Sequence, residues 1–111
     1  MTPNGYQKAA LRTERATDKR YPRVLNGVMG MNGEAGECID ILKKHLFQGH
    51  DLDIEHLAKE IGDVLWYVAI CADAIGYTLE DIMLLNIGKL EARYPNGFDA
   101  ERSVHREAGD I

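Results

Sequence analysis

Gly33-Glu34-Ala35-Gly36-Glu37 and, further along the chain, Glu60-Ile61-Gly62-Asp63 each contain two acidic residues three positions apart. Residues at this spacing lie on one face of a helix, one turn apart. If the two helices pack antiparallel, four carboxylates meet at one place, where their charges would repel one another. A hard divalent cation such as Mg²⁺ removes that conflict, because it binds carboxylate oxygens. The two stretches therefore predict neighbouring helices with a cation site between them.

A single acidic pair of this kind is typical of a solvated helix face, and that interpretation stays open for either pair alone. Glu60 and Asp63, however, border the apolar stripe of the most hydrophobic helix, where uncompensated charge is costly. A di-iron bundle would need a histidine three residues after a glutamate on two helices, and neither Glu34 nor Glu60 has one. The four histidines form no clear ligand set, and we interpret them as surface or capping residues. The spacing leaves a metal site and a solvated acidic face as the two alternatives.

Hydrophobic periodicity predicts four main helices with short connections, which is typical of an all-α bundle of antiparallel neighbours. The first is a short helix within residues 2–16, with Thr2 as its N-cap, and the chain breaks at Tyr21-Pro22 because the residue before proline disfavours helical geometry. The expected bounds of the other three are Val24 to Phe47 with a stop at Gly49, Asp51 or Asp53 to Ile75 with a stop at Gly76, and Thr78 to Tyr94-Pro95-Asn96-Gly97. Phe98 to Ile111 is a polar tail.

Four glycines recur at every third position of the second helix, at Gly27, Gly30, Gly33 and Gly36. Each lowers helix propensity by roughly 1 kcal/mol relative to alanine. Two interpretations remain open: the glycines permit close helix packing, or they keep space beside the carboxylates for a ligand.

The composition is that of a single-domain globular protein covering residues 1–111, of which 45% are hydrophobic and 28% charged. A net charge of −5 argues against binding to a nucleic-acid polymer. The chain shows neither a signal-peptide pattern nor an apolar run long enough for a membrane, so we expect a cytoplasmic protein with two free, buried cysteines. Residues 64–72 are apolar nearly all round, which predicts that a second subunit covers part of this helix.

The two acidic pairs, separated by 22 residues, resemble the signature of the MazG-like, all-α nucleoside triphosphate pyrophosphohydrolases. The later stretch Lys89-Leu90-Glu91-Ala92-Arg93-Tyr94-Pro95-Asn96-Gly97-Phe98 is similar to the same family. Tyr6-Gln7, with Ala10 and Thr13, resembles the first helix of its short members. The likeness covers nearly the whole chain, and no acid of the motif is missing.

This resemblance implies a four-helix-bundle-like fold completed by formation of a homodimer or homotetramer. It also implies hydrolysis of a (deoxy)nucleoside triphosphate between the α and β phosphates, with Mg²⁺ as cofactor and Mn²⁺ as a possible substitute. The cation would be held by Glu34, Glu37, Glu60 and Asp63, and Glu37 would also act on the attacking water. A non-catalytic helical module that binds a nucleotide or another partner, and the same fold acting on a different phosphate ester, are the alternatives.

Further side chains are candidates for contact with the substrate because they share helix faces with one another or with the acids. Lys44 lies two turns beyond Glu37, and Tyr67 projects between the directions of Glu60 and Asp63. On the fourth helix, Asn86, Lys89 and Arg93 recur at helical spacing. Cations and amide donors stabilise phosphate charge, so we expect Lys44, Asn86, Lys89 and Arg93 to contact the phosphate chain, and Tyr67 to flank the nucleotide. The alternative for these phosphate contacts is a solvated helix face.

Overall fold

In the computed structural model, which describes residues 1–15 and 20–111, the folded elements are α-helices. The helices within these ranges are α1 (Pro3–Leu11), α2 (Arg20–Gln48), α3 (Ile54–Ala74), α4 (Leu79–Arg93) and α5 (Ala100–Val104). No strand forms among the described residues, and the prediction of an all-α fold is confirmed. The described chain divides into two compact units, residues 1–79 and 80–111. The assignment of residues 1–111 to one domain remains a prediction.

The helix ends largely follow the capping signals in the sequence. The Thr2 side chain accepts a hydrogen bond from the backbone N–H of Gly5 at 2.9 Å, and Asp53 accepts one from the N–H of His56 at 2.9 Å. Gly49 and Gly76 follow α2 and α3 with φ angles of 74° and 88°, a conformation that glycine adopts without steric cost. The predicted N-caps and stop residues of these helices are therefore confirmed.

The predicted break at Tyr21-Pro22 is wrong, because both residues belong to α2. Pro22 is the third described residue of this helix, and proline is compatible with the first turn, where backbone N–H groups need no intrahelical partner. Residue 16, with which the first predicted segment ended, lies outside the described residues, and α1 ends at Leu11. In the unit 80–111, the polar tail contains α5 and is fixed to α4 by an ion pair between Arg93 and Asp110 at 2.7 Å, which the sequence did not indicate.

The structure supports the first interpretation of the α2 glycines, close helix packing, at Gly27 and Gly30, and the second, space for a ligand, stays a prediction. A Cβ built at Gly27 would lie 2.8 Å from the Cβ of Cys71, and one built at Gly30 would overlap the ring of Tyr67. These glycines permit close contact between α2 and α3. At Gly33 and Gly36, in contrast, a Cβ would meet no described atom within 4 Å outside the backbone of α2. Space is therefore open on the part of α2 that carries the acids.

This division predicts opposite effects of alanine at two glycines of the same helix. Gly30→Ala should lower the free energy of unfolding by about 1–3 kcal/mol, because the ring of Tyr67 must move, with part of this offset by helix propensity. Gly33→Ala should raise it by about 0.5–1 kcal/mol, since it gains propensity without a clash. Urea denaturation of both variants in the presence of a chelator measures the difference. Equal stabilities would contradict the close packing at Gly30.

The core of the unit 1–79 lies where α1 packs against the C-terminal half of α3. Its buried residues are Ala10, Ala69, Ile70 and Leu79, with Tyr6, Leu11, Trp66 and Val68 packed against them. Trp66 Nε1 donates hydrogen bonds to the Ala10 carbonyl oxygen at 3.2 Å and to Thr13 Oγ1 at 2.9 Å. Trp66 thus contributes both apolar surface and a polar tie between α1 and α3.

Much of the remaining apolar surface of α2 and α3 is exposed in the protomer. Phe47 is 80% exposed and Leu65, within the apolar segment of α3, is 41% exposed. The prediction that a second subunit covers this segment stays a prediction. Cys38 and Cys71 are free thiols, as predicted, but both are half-buried rather than buried. Among the described helices, none is both long and apolar enough to cross a membrane.

Candidate metal centre

Glu34 of α2 and Glu60 and Asp63 of α3 bring their carboxylates to one place. One oxygen from each side chain lies within 4.8 Å of the other two. The arrangement follows from the antiparallel pairing of the helices: Gly27 lies opposite Cys71, and Gly30 opposite Tyr67. One turn further along α2, the partner residues on α3 are the two acids. The sequence-based expectation that acids of the two helices converge is therefore met by three of the four.

Glu37 is not part of this three-acid group as the structure describes it. It lies one turn beyond Glu34 on α2, where its side chain is exposed. Its negative charge nevertheless contributes to raising the pKa of Glu34. Glu37 also lines a neighbouring cavity of about 360 Å³, together with Lys44 and His56. Glu37 is thus adjacent to the three-acid group, but its carboxylate is not one of those that converge.

The environment of the three acids is short of positive charge. The pKa of Glu34 is raised, chiefly because its carboxyl group can share a proton with Glu60, and further by partial burial and by the charges of Glu60, Asp63 and Glu37. Burial and the nearby charge of Asp63 likewise raise the pKa of Tyr6. When both glutamates are ionised, the buried Oε2 of Glu60 has no hydrogen-bond partner among the described residues. A buried carboxylate oxygen without a donor is costly, and an all-oxygen set of this kind suits Mg²⁺ or Mn²⁺.

The raised pKa of Glu34 predicts a pH-dependent loss of stability in the absence of a cation. Because the folded protein binds the Glu34 proton more tightly than the unfolded chain does, the protonated carboxyl group stabilises the fold. This stabilisation is fully present below the usual pKa of 4.5 and is lost as the pH rises through the folded-state pKa. Glu34→Gln removes this loss, so in chelator its melting temperature should exceed that of the wild type by more at pH 8 than at pH 4. Thermal unfolding at the two pH values tests this. A difference that does not change with pH would show that Glu34 is not crowded by its neighbours.

His56 contacts the three-acid group, and this contact was not predicted from the sequence. Its Nε2 lies 3.0 Å from Glu60 Oε1, and its backbone N–H is held by the Asp53 cap at the start of α3. Because the two side chains are four residues apart, they are neighbours on one helix face. This spacing is the signal in the sequence, and the interpretation of His56 as only a surface or capping residue does not include the contact. The contact engages Oε1 of Glu60, while Oε2 has no hydrogen-bond partner among the described residues.

Residues that orient a metal ligand commonly affect metal affinity by 10- to 100-fold. We therefore expect His56→Leu to weaken the binding of a divalent cation such as Mn²⁺ about tenfold. His56→Gln keeps a hydrogen-bond donor and should retain most of the affinity. Mn²⁺ binding curves for the two variants provide the measurement, and a His56→Leu curve that coincides with the wild type would exclude the orienting role.

The predicted phosphate-contacting residues lie in two different parts of the molecule. Lys44 lines the cavity beside Glu37 and forms an ion pair with Asp40 at 2.9 Å. The half-buried Tyr67 ring packs on Gly30 and meets Trp66 edge-on, with 4.9 Å between ring centroids. On α4, in the unit 80–111, are the remaining candidates Asn86, Lys89 and Arg93.

Arg93 is already engaged, since its guanidinium donates two hydrogen bonds to the carboxylate of Asp110, at 2.8 and 2.7 Å. This pair joins residues 17 positions apart, across the turn at Pro95 to Gly97, and has no periodic signature. The pairing lowers the pKa of Asp110. Arg93 and Lys89 both line a cavity within this unit.

Comparison with known proteins agrees with this geometry. A sequence model of the MazG nucleotide pyrophosphohydrolase domain matches residues 26–98, a range that includes both acidic pairs. The Gene 37 protein of Mycobacterium phage L5 is 36% identical over 73 residues, which are 62% of this chain and 64% of that protein. The match thus spans less than two thirds of that relative's length. No solved structure matches the chain significantly. Since the domain match covers well over half of its residues, the chain belongs to the MazG nucleotide pyrophosphohydrolase domain family.

Proposed function

We propose that the protein hydrolyses a (deoxy)nucleoside triphosphate between the α and β phosphates, giving the monophosphate and pyrophosphate. Membership of the MazG family supports pyrophosphohydrolase chemistry on a nucleotide. The single structural observation that carries the proposal is the convergence of Glu34, Glu60 and Asp63 within 4.8 Å. Three acids so close together, one with a buried oxygen lacking a donor, fit a cation site better than a solvated surface.

Glu34, Glu60 and Asp63 would hold Mg²⁺, with Glu37 as the fourth acid at its edge and Mn²⁺ as a possible substitute. When bound, the cation would neutralise phosphate charge and polarise the phosphorus under attack. Oxygen ligands from carboxylates, with several waters retained, are the usual coordination of this ion.

Glu37 is the residue that we assign to the attacking water. Its carboxylate lies outside the three-acid group, so it can accept a proton from water and orient the oxygen. The water oxygen forms a bond to the α-phosphorus, and the bond from that phosphorus to the bridging oxygen breaks. Pyrophosphate leaves with the electron pair of the broken bond. Glu37 then releases the proton to solvent.

The contacts to the substrate are assigned to the cations and polar groups predicted from the sequence. Lys44 lines the same cavity as Glu37, so it can approach a phosphate near the attacking water by leaving Asp40. We keep Tyr67, Asn86, Lys89 and Arg93 as proposed substrate contacts. Charge-assisted hydrogen bonds of this kind are among the stronger interactions with phosphate.

We also propose that the protein works as a homodimer or homotetramer. The exposed large apolar side chains of α2 and α3 support this, among them Leu25, Met29, Ile39, Leu46, Phe47 and Ile61. Extensive exposed apolar surface marks an interaction site more often than a free surface. Sedimentation analysis of the wild type measures the state directly.

A pyrophosphate-release assay over the common ribo- and deoxyribonucleoside triphosphates, with Mg²⁺, with Mn²⁺ and with a chelator, tests the activity. We expect equimolar monophosphate and pyrophosphate, abolished by the chelator, and a Glu37→Gln variant that binds nucleotide but turns over at least 100-fold more slowly. Turnover that survives the chelator, or a fully active Glu37→Gln variant, would refute the mechanism. Nucleotide binding without any product would favour a non-catalytic module.

A further inference from the structure

A second cavity lies entirely within the unit 80–111, between the C-terminal end of α4 and the segment that contains and follows α5. Its volume is about 270 Å³. Its cationic lining consists of Lys89, Arg93, Arg102 and Arg106, and its acidic lining of Glu107 and Asp110. Cations therefore outnumber acids around this cavity, although the whole chain carries a net charge of −5.

One of the cations has a structural partner and the others do not. The side chain of Arg93 is only 9% exposed and is paired with Asp110, which holds the tail against α4. Within the part of the chain that the structure describes, no carboxylate oxygen lies within ion-pair distance of Lys89, Arg102 or Arg106. The charges of Arg106 and Lys89 both contribute to lowering the pKa of Asp110, so both side chains lie near this carboxylate. Lys89, Arg102 and Arg106 thus line the cavity without an ion-pair partner among the described residues, and Glu107 is the further acid in the same wall.

The size and lining of the cavity limit what anion it could take. Pockets for drug-sized ligands usually measure about 300–1,000 Å³, and this one lies just below that range. The rest of its wall consists of His105, Ala92, Ala108 and Gly109. The lining contains no Phe, Tyr or Trp, and His105 is its one ring side chain. The lining therefore suits a compact, multiply charged anion rather than a whole nucleotide.

We propose that this cavity binds a phosphate or diphosphate group through Lys89, Arg102 and Arg106. Guanidinium groups donate paired hydrogen bonds to phosphate oxygens, and such charge-assisted pairs are strong and geometrically specific. Arg93 lies beside these residues and is paired with Asp110, so it can contact an anion only if this pair opens. The inference rests on the proposed function only for the source of the anion, which is either free pyrophosphate or the terminal phosphates of a bound nucleotide.

Calorimetric titration of the full chain with inorganic pyrophosphate, in chelator and at low ionic strength, tests the proposal. It compares variants whose affinity for pyrophosphate should change in opposite directions. Arg106→Gln removes a donor and a positive charge, and should weaken binding about tenfold. Glu107→Gln removes a negative charge from the same wall and should tighten binding severalfold. Lys8→Gln, on the exposed face of α1, changes the net charge as Arg106→Gln does and should leave the affinity unchanged.

Several results would overturn the proposal. These are a wild type that does not bind pyrophosphate, a Lys8→Gln variant that loses as much affinity as Arg106→Gln, and a Glu107→Gln variant that binds more weakly. The last result would mean that the charged residues only maintain the folded tail. Circular dichroism of each variant establishes that the helices are intact.

A parallel titration with an α,β-methylene triphosphate analogue, which cannot be cleaved between these phosphates, separates the two sources. Equal affinity for pyrophosphate and the analogue identifies free pyrophosphate as the ligand, and tighter binding of the analogue identifies the nucleotide's terminal phosphates. Because the titrations contain no divalent cation, they do not depend on turnover. Turnover without pyrophosphate binding refutes only the cavity proposal, whereas pyrophosphate binding without turnover refutes only the proposed hydrolysis.

Discussion

Glu60→Gln is expected to lower kcat/KM for nucleoside triphosphate hydrolysis by about three orders of magnitude. The Oε2 atom of Glu60 is buried and without a donor among the described residues, and Glu60 belongs to the three-acid group. An amide of the same size keeps the shape of the side chain but removes the negative charge that a divalent cation requires. Loss of cation-based charge stabilisation amounts to several kcal/mol, and each 1.36 kcal/mol is a factor of ten in rate.

A matched control for this variant lies on the same helix. Glu55 is in the first turn of α3, with its side chain 82% exposed and paired only with Lys59, so Glu55→Gln should leave kcat/KM within about twofold, since exposed ion pairs contribute little. Steady-state kinetics with saturating Mg²⁺ measure both variants. Urea denaturation in chelator should show that Glu60→Gln is folded. A Glu60→Gln enzyme as active as Glu55→Gln would remove Glu60 from the site.

Gln7→Leu is expected to lower the free energy of unfolding by about 3 kcal/mol or more. The Gln7 side chain, in a residue only 6% exposed, makes three hydrogen bonds to the backbone. Its Nε2 donates to the carbonyl oxygens of Ala69 at 3.2 Å and Tyr77 at 3.1 Å, and its Oε1 accepts from the N–H of Leu79 at 3.0 Å. Leucine satisfies none of these groups, and each buried group left without a partner costs about 1–3 kcal/mol.

The control is Gln48→Leu at the exposed end of α2, which should change stability by no more than about 0.5 kcal/mol. Urea denaturation of both variants at one protein concentration gives the comparison. If Gln7→Leu were no less stable than Gln48→Leu, the polar contact between α1 and the α3–α4 connection would not matter to the fold.

Features that repeat along the sequence could be predicted before the structure was known. The helical spacing of apolar residues predicted α2, α3 and α4. Residue chemistry predicted the N-caps of α1 and α3 at Thr2 and Asp53, and the stops of α2 and α3 at Gly49 and Gly76. The same spacing placed Glu34, and the pair Glu60 and Asp63, on facing edges of neighbouring helices. Each of these inferences needs only local geometry and one short connection between α2 and α3.

Contacts between distant positions could not be predicted in the same way. Gln7 bonds to groups 62 to 72 residues away, and Arg93 pairs with Asp110 across a turn. Neither contact leaves a periodic pattern, because a single polar residue has many possible partners. Spacing also could not predict that Glu37 stays outside the three-acid group, because it assigns residues to a helix face but does not fix the distances between their carboxylate oxygens.

Direct measurement of cation binding tests the central claim, that Glu34, Glu60 and Asp63 form one divalent-cation site. Electron paramagnetic resonance reports free Mn²⁺ as it is titrated into the wild type, into Glu60→Gln and into Glu55→Gln, without any need for substrate. We predict that the wild type and Glu55→Gln remove Mn²⁺ from solution in the same way, whereas Glu60→Gln binds it at least tenfold more weakly. Indistinguishable Mn²⁺ binding by all three proteins would contradict the claim.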